Sequence, residues 1–147
     1  MTVRQVNMPS VPQHVVTEIY NCVDQGTSAV VYDNYSWMPA NEQIQTWCKH
    51  NISPDMYWGL QLISGDLKMH KDIGTCIKFN YIIDTAGPHV VTNFYNDSFE
   101  LIESVTLHPH IWYIMDVTLY HSVSFVHPGQ TRLSLTGRIF PTERNNK

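Results

Sequence analysis

A chain of 147 residues and 17.0 kDa, 43% hydrophobic, can bury one core of ordinary size and not two, so a single domain is expected. Charged residues make up only 15%, against eight Pro, seven Gly and eight Tyr, which suits strands and turns and argues against a helical bundle. Nine basic against thirteen acidic residues give a formal charge of −4, and no run of Lys or Arg could follow a phosphate backbone, so nucleic acid is not an expected partner.

Cys22, Cys48 and Cys76 are odd in number, widely spaced and without a CxxC pair, which excludes a disulfide framework and a zinc knuckle and fits a reducing compartment. The chain does not open on a charged segment followed by an apolar core, and no apolar stretch approaches spanning length; a cytoplasmic protein with no membrane partner is expected.

In chain order, residues 1–54 read as a helical cover, 55–140 as a β core and 141–147 as a tail. The first helix is predicted over residues 11–24, with Val15, Val16, Ile19, Tyr20 and Val23 on one stripe and Gly26 placed to end it. Residues 31–39 read as a loop, and after the breaker Pro39 a second helix is predicted over 40–50, with Ile44, Trp47 and Cys48 as its apolar face. From Tyr57 onward, short β-rich runs are separated by turn signals at residues 64–66, 86–88, 96–97 and 128–130. Eight strands fit, at 57–63, 67–72, 77–83, 90–95, 99–104, 111–116, 121–126 and 132–140, the spacing of a sandwich or barrel.

Strand alternation assigns faces. Ile77, Phe79, Tyr81 and Ile83 share one side, with Lys78 and Asn80 on the other; Leu133, Leu135 and Ile139 oppose Arg132, Ser134, Thr136 and Arg138. A sheet with one apolar and one polar face is expected to pack on helices outside and to border a polar cavity inside.

Within Leu67-Lys68-Met69-His70-Lys71-Asp72, His70 and Asp72 stand two residues apart, so extended backbone projects imidazole and carboxylate to the same side. Two His and one carboxylate on one face of a metal leave positions open for other ligands. Alone, such a pair is more often a surface feature, and its weight comes from its companions further along the chain: His121, then Arg132 and Ser134 on one face of the next strand, with a hairpin expected at Pro128-Gly129 to set the two strands side by side. A guanidinium fork matches a carboxylate bidentately, and a hydroxyl two residues on adds a donor. His108-Pro109-His110 with Asp116 is a poor match to a cupin-like metal set and reads as a turn before a strand. His127 belongs at the end of the hairpin, and His14, His50 and His89 read as surface or loop residues.

With HxD, a distal His and an RxS arrangement in that order, residues 57–140 resemble the iron(II) and 2-oxoglutarate dependent oxygenase superfamily, most closely its small prolyl-hydroxylase-like members. The run from Tyr113 to Val123 is similar to that group's strand, loop and distal-His segment, and the run from Arg132 to Phe140 to its terminal strand. The resemblance implies a mainly β fold, a double-stranded β-helix of jelly-roll or cupin-like type with N-terminal helices packed on one sheet. It implies His70, Asp72 and His121 as ligands of Fe(II), and Arg132 and Ser134 on the distal carboxylate of 2-oxoglutarate. Asn80 is implied as a further co-substrate contact, ahead of Lys78 and Tyr81.

The chemistry implied is a dioxygenase reaction in which O2 and 2-oxoglutarate are consumed, succinate and CO2 released, and a C–H bond hydroxylated; the carboxylate of Asp72 favours hydroxylation over halogenation. A protein side chain, prolyl first, is the implied substrate, ahead of a free small molecule. Trp112, Tyr113 and Tyr120 are expected to shape the pocket, and residues 31–39 and 86–89 to choose the substrate. The alternative from another class is a cupin-like metal-binding or non-catalytic β-helix module, against which the intact set of His70, Asp72, His121 and Arg132 speaks.

Overall fold

A computed structural model describes residues 2–26, 28, 30–72 and 77–139. Along the chain run β1 (Val3–Val6), α1 (Gln13–Gln25), β2 (Val30–Tyr32), β3 (Tyr35–Pro39), α2 (Glu42–Asn51), β4 (Tyr57–Ile63), β5 (Leu67–His70), β6 (Ile77–Asp84), β7 (Val91–Tyr95), β8 (Leu101–Val105), β9 (Trp112–Asp116), β10 (Tyr120–Ser124) and β11 (Arg132–Arg138). A seven-stranded sheet in the order β1-β9-β6-β11-β4-β3-β2 faces a four-stranded one in the order β5-β10-β7-β8. These antiparallel sheets, two helices on the larger one, form the expected double-stranded β-helix.

The helices cover the outer face of the large sheet. α1 buries Val15 and Ile19; its predicted stripe fails at Tyr20, which is exposed because the stripe is narrower than five residues. Asn41 caps α2 by accepting the Ile44 amide at 3.1 Å, and Glu42 in the first turn with Lys49 and His50 in the last suit the helix dipole. Ile44 and Cys48 are fully buried against Trp58, Leu60, Tyr81, Trp112 and Leu135 from β4, β6, β9 and β11. Gly137 is required here, since an added Cβ would stand 2.6 Å from the Trp58 ring. Gly26 ends α1 in extended conformation, its room taken by the Cys22 carbonyl and Met38.

Four expectations are corrected. The segment before Pro54 is not a helical cover alone: β1 pairs with β9, and β2 and β3 form a hairpin that pairs with β4. Residues 31–39 are therefore largely strand, because β-branched and aromatic residues flank the turn at Asp33-Asn34, where Asp33 adopts φ 47°. β10 and β11 are not side by side; β10 bonds to β5 and β7, β11 to β4 and β6, so residues 125–131 cross from one sheet to the other. The strand predicted from residue 99 begins at Leu101, as the Asn96 side chain accepts the Ser98 and Glu100 amides and holds that stretch in a turn. The predicted ends at Asp72 and Phe140 shorten to His70 and Arg138; Cys76, Phe140 and residues 141–147 lie outside the described residues.

Between the sheets, apolar clusters around Ile63, Leu67 and Val123 and around Ile82, Phe94 and Met115 enclose a polar interior. Lys78, Asn80, Thr92, Arg132, Ser134 and Thr136 are all buried there. The alternation read in β6 and β11 thus puts an apolar face on the helices and a polar face toward the four-stranded sheet.

Candidate metal centre

β5 and β10 are neighbours, and their register sets His70 opposite His121, with an irregularity between His121 and Val123 of the kind that re-aims side chains. The two rings lie 4.4 Å apart between centroids. Asp72 follows β5 by two residues, and its Oδ1 stands 3.7 Å from His70 Nε2 and 3.1 Å from His121 Nε2. One ligand atom from each of the three lies within 4.8 Å of the others, the one such group of His, Cys, Asp and Glu among the described residues.

The tautomers are fixed by the backbone. His70 Nδ1 is 2.7 Å from the Lys68 carbonyl and His121 Nδ1 2.8 Å from the Leu119 carbonyl. A carbonyl only accepts, so each Nδ1 carries its proton and each Nε2 lone pair is left for a metal. Burial holds the His70 imidazole below its ordinary range, which keeps it neutral. Burial pushes the Asp72 carboxyl up, but Lys78, the hydrogen bond with His121 and Arg138 outweigh that and hold it well below the usual carboxylate range. Asp72 Oδ2 is buried with no hydrogen-bond partner, although Arg138 Nη1 stands 3.7 Å away. Two neutral imidazoles and one ionised, under-satisfied carboxylate make a donor set that fits a borderline divalent cation such as Fe(II).

The co-substrate candidates lie deeper. Arg132 and Arg138, six residues apart on the inner face of β11, are separated by about 20 Å of strand. Arg132 is buried and donates from Nη1 to Thr92 Oγ1 on the opposite sheet at 3.1 Å; burial lowers its pKa to about 10, which leaves it a cation at neutral pH. Ser134 and Asn80 line the same interior, and Asn80 Oδ1 has no partner. Lys78 also lies inside, within electrostatic reach of Asp72, Arg138 and Arg132, with Gln61 Oε1 at 3.3 Å; burial lowers its pKa to about 8. Thr92 and Gln61 escaped the sequence reading, and no spacing rule links either to a motif.

The pocket-shaping residues are corrected. Trp112 and Tyr81 face the helices: the Trp112 indole donates to the Pro9 carbonyl at 2.8 Å, and the Tyr81 hydroxyl accepts the Val11 amide at 3.3 Å. Tyr113 packs between the sheets with its hydroxyl on the His108 amide, and Tyr120 stacks on Phe99 beneath Lys71. The cleft that opens onto His70 and Asp72, about 460 Å³, is walled instead by Tyr32, Tyr35, Trp37 and Tyr57. The alternation Tyr35-Ser36-Trp37 beyond the Asp33-Asn34 turn was the available signal, as it puts both rings on one side of a strand. Gly59 seats Trp37, whose ring stands 2.3 Å from where a Cβ would be. His108 and His110 form the turn before β9, and His127 packs beside Gly87, away from the metal ligands.

No family model matches the sequence, and none of the curated proteins compared with it does. Solved structures do share the fold. A 2OG-Fe(II) oxygenase family oxidoreductase from Burkholderia pseudomallei is similar with a TM-score of 0.68, 9% identity, and 93% of this chain and 84% of that one covered. HygX from Streptomyces hygroscopicus, solved with nickel, 2-oxoglutarate and hygromycin B, aligns with a TM-score of 0.66, 9% identity, and 93% and 82% covered. A prolyl hydroxylase from Trichoplax adhaerens, in complex with a hypoxia inducible factor peptide fragment, aligns with a TM-score of 0.64, 11% identity, and 99% and 87% covered. The chain has the fold of these oxygenases over nearly its full length.

Proposed function

We propose that this protein is an Fe(II) and 2-oxoglutarate dependent dioxygenase that hydroxylates a C–H bond. The observation that carries the reading is the convergence of His70, Asp72 and His121 at one end of a buried polar interior whose other end holds Arg132. His70 Nε2, His121 Nε2 and an Asp72 oxygen hold the iron, and Arg132, with Ser134 and Thr92, receives the distal carboxylate of 2-oxoglutarate. Asn80 and Lys78 are placed to contact the rest of that dianion. The metal and keto acid supply the oxidising chemistry, with O2 consumed and succinate and CO2 released; the chain orients the reactants and excludes water. The apolar clusters on either side of the polar interior serve that exclusion.

A protein side chain is the proposed substrate, prolyl first. The similar prolyl hydroxylase with its bound peptide fragment supports this, as does a cleft whose aromatic walls suit a compact apolar ring. We place the protein in the cytoplasm, where the free thiols of Cys22 and Cys48 stay reduced. No helix of the described residues is long and apolar enough to cross a membrane.

The test is anaerobic titration of metal-free protein with Fe(II) and then 2-oxoglutarate. A weak visible charge-transfer band that is absent in His121→Ala supports the proposal; iron binding without the band leaves a metal-binding β-helix module.

A further inference from the structure

The mouth of the cleft differs in charge from its walls. Arg138, the last residue of β11, lies among the aromatic side chains and reaches both the metal ligands and the hairpin of β2 and β3. Its Nη1 is 3.7 Å from Asp72 Oδ2, its Nη2 donates to the Tyr35 hydroxyl at 3.3 Å, and its Nε–H is buried without a partner. A guanidinium has five N–H donors, and among the described residues this one makes a single long hydrogen bond. The Trp37 Nε1–H beside the same cleft is a second buried donor without an acceptor. Gln61, the lining amide, has its oxygen occupied by Lys78. The mouth is rich in donors and short of acceptors.

Charge counting points the same way. Lys78, Arg132 and Arg138 act on one another and on Asp72, so three cations share the interior with one carboxylate. Fe(II) and the dianion of 2-oxoglutarate cancel, which leaves that surplus of two positive charges in place. Arg132 lies far along the strand, whereas Arg138 stands where a molecule entering from solvent would meet the metal.

We propose that Arg138 is a specificity-determining residue that binds a carboxylate of the substrate to be oxidised, so that this substrate is an acid with an apolar body, seated between the rings of Tyr35 and Trp37. The proposal rests on the oxygenase reading above and names its substrate class. The carboxylate comes either from an acidic side chain next to the oxidised residue of a peptide or from a free carboxylic acid; both offer the same paired oxygens to the guanidinium fork. In either source, a carboxylate held beside Asp72 fixes the neighbouring apolar carbon close to the metal.

The test uses calorimetric titration of the anaerobic Fe(II) and 2-oxoglutarate complex with two matched pairs of probes, phenylacetate against phenylacetamide and acetyl-Pro-Glu-amide against acetyl-Pro-Gln-amide. At least about a tenfold tighter binding of the acid is expected in one pair, that of a charge-assisted hydrogen bond. A preference in the first pair identifies a free acid, and in the second an acidic peptide. Arg138→Gln is expected to erase the preference and Arg138→Lys to keep part of it. Equal affinities, no binding of either acid, or a preference that survives Arg138→Gln overturns the proposal. So does loss of the charge-transfer band in Arg138→Gln, which would make Arg138 a positioning residue for Asp72. An absent band in the wild-type protein removes the oxygenase reading itself, whereas an intact band without acid preference removes only this inference.

Discussion

β6 and β11 present two faces built on opposite rules. Toward the helices they offer Phe79, Tyr81, Ile83, Leu133 and Leu135, packed against Ile19, Ile44 and Trp58. Toward the other sheet they offer Lys78, Asn80, Arg132, Ser134 and Thr136, equally buried, with polar atoms left unpartnered at Asn80 and, beyond them, at Asp72 and Arg138. Burying such groups costs free energy that burying Leu or Trp returns. The difference teaches that the outer face stabilises the fold so that the inner face can keep groups waiting for ligands, and substitutions on the two faces should therefore fail in different assays.

The largest effect is expected at the metal. His121→Ala removes one of three donors, and turnover measured as succinate release should fall to background while the circular dichroism spectrum stays native. Substantial turnover in that variant would sink the ligand assignment. On the outer face, Leu135→Ala should reverse this pattern. Leu135 is fully buried under the helices, and truncation should cost about 2–5 kcal/mol in urea unfolding, with the charge-transfer band retained in whatever protein remains folded. A loss under 1 kcal/mol, on the order of a surface change, would contradict the packing described.

Within the inner face, the comparison sharpens to two ends of one strand. Arg132→Gln should raise the 2-oxoglutarate requirement by about 10–100-fold, the worth of a hydrogen bond to a charged group, and leave the iron requirement nearly unchanged. An unchanged co-substrate requirement would move the anchor to Lys78, the other buried cation in reach.

The two faces were not equally legible in the sequence. Alternation in β6 and β11 placed Tyr81 outward and Lys78 and Asn80 inward, because a period of two and a strong contrast of polarity leave one arrangement. The HxD spacing, the distal His121 and Arg132 were legible for the same local reason. The hairpin of β2 and β3 was not: it is short, and its exposed Val30, Val31 and Tyr32 carry no alternation to mark them as strand. Trp112 misled because an aromatic two positions from a polar strand partner carries no sign of which sheet face it takes. The pairing of β10 with β5 and of β11 with β4 joins segments about 50 and 70 residues apart, and nothing in the turn at Pro128-Gly129 distinguishes a hairpin from a crossing between sheets.

The smallest effect is a pH dependence confined to the inner face. Lys78 has a folded-state pKa of about 8 against 10.5 when unfolded, chiefly because burial disfavours its charge. Between those values the unfolded chain binds a proton at this site that the folded chain has released, so Lys78 makes stability rise with pH across that window. Below pH 8 both states are protonated and the burial penalty stands in full. Lys78→Met, which keeps the volume and removes the charge, should therefore stabilise the metal-free protein near pH 7 by about 1 kcal/mol or more, with the advantage shrinking as pH rises toward 10.5. Urea unfolding of both proteins across that range gives the difference directly, and titrations shared by the two cancel in it. A difference that stays flat would mean that the Lys78 ammonium is solvated or paired by the interior as fully as in water, and the contrast between a stabilising outer face and a waiting inner face would lose its electrostatic part.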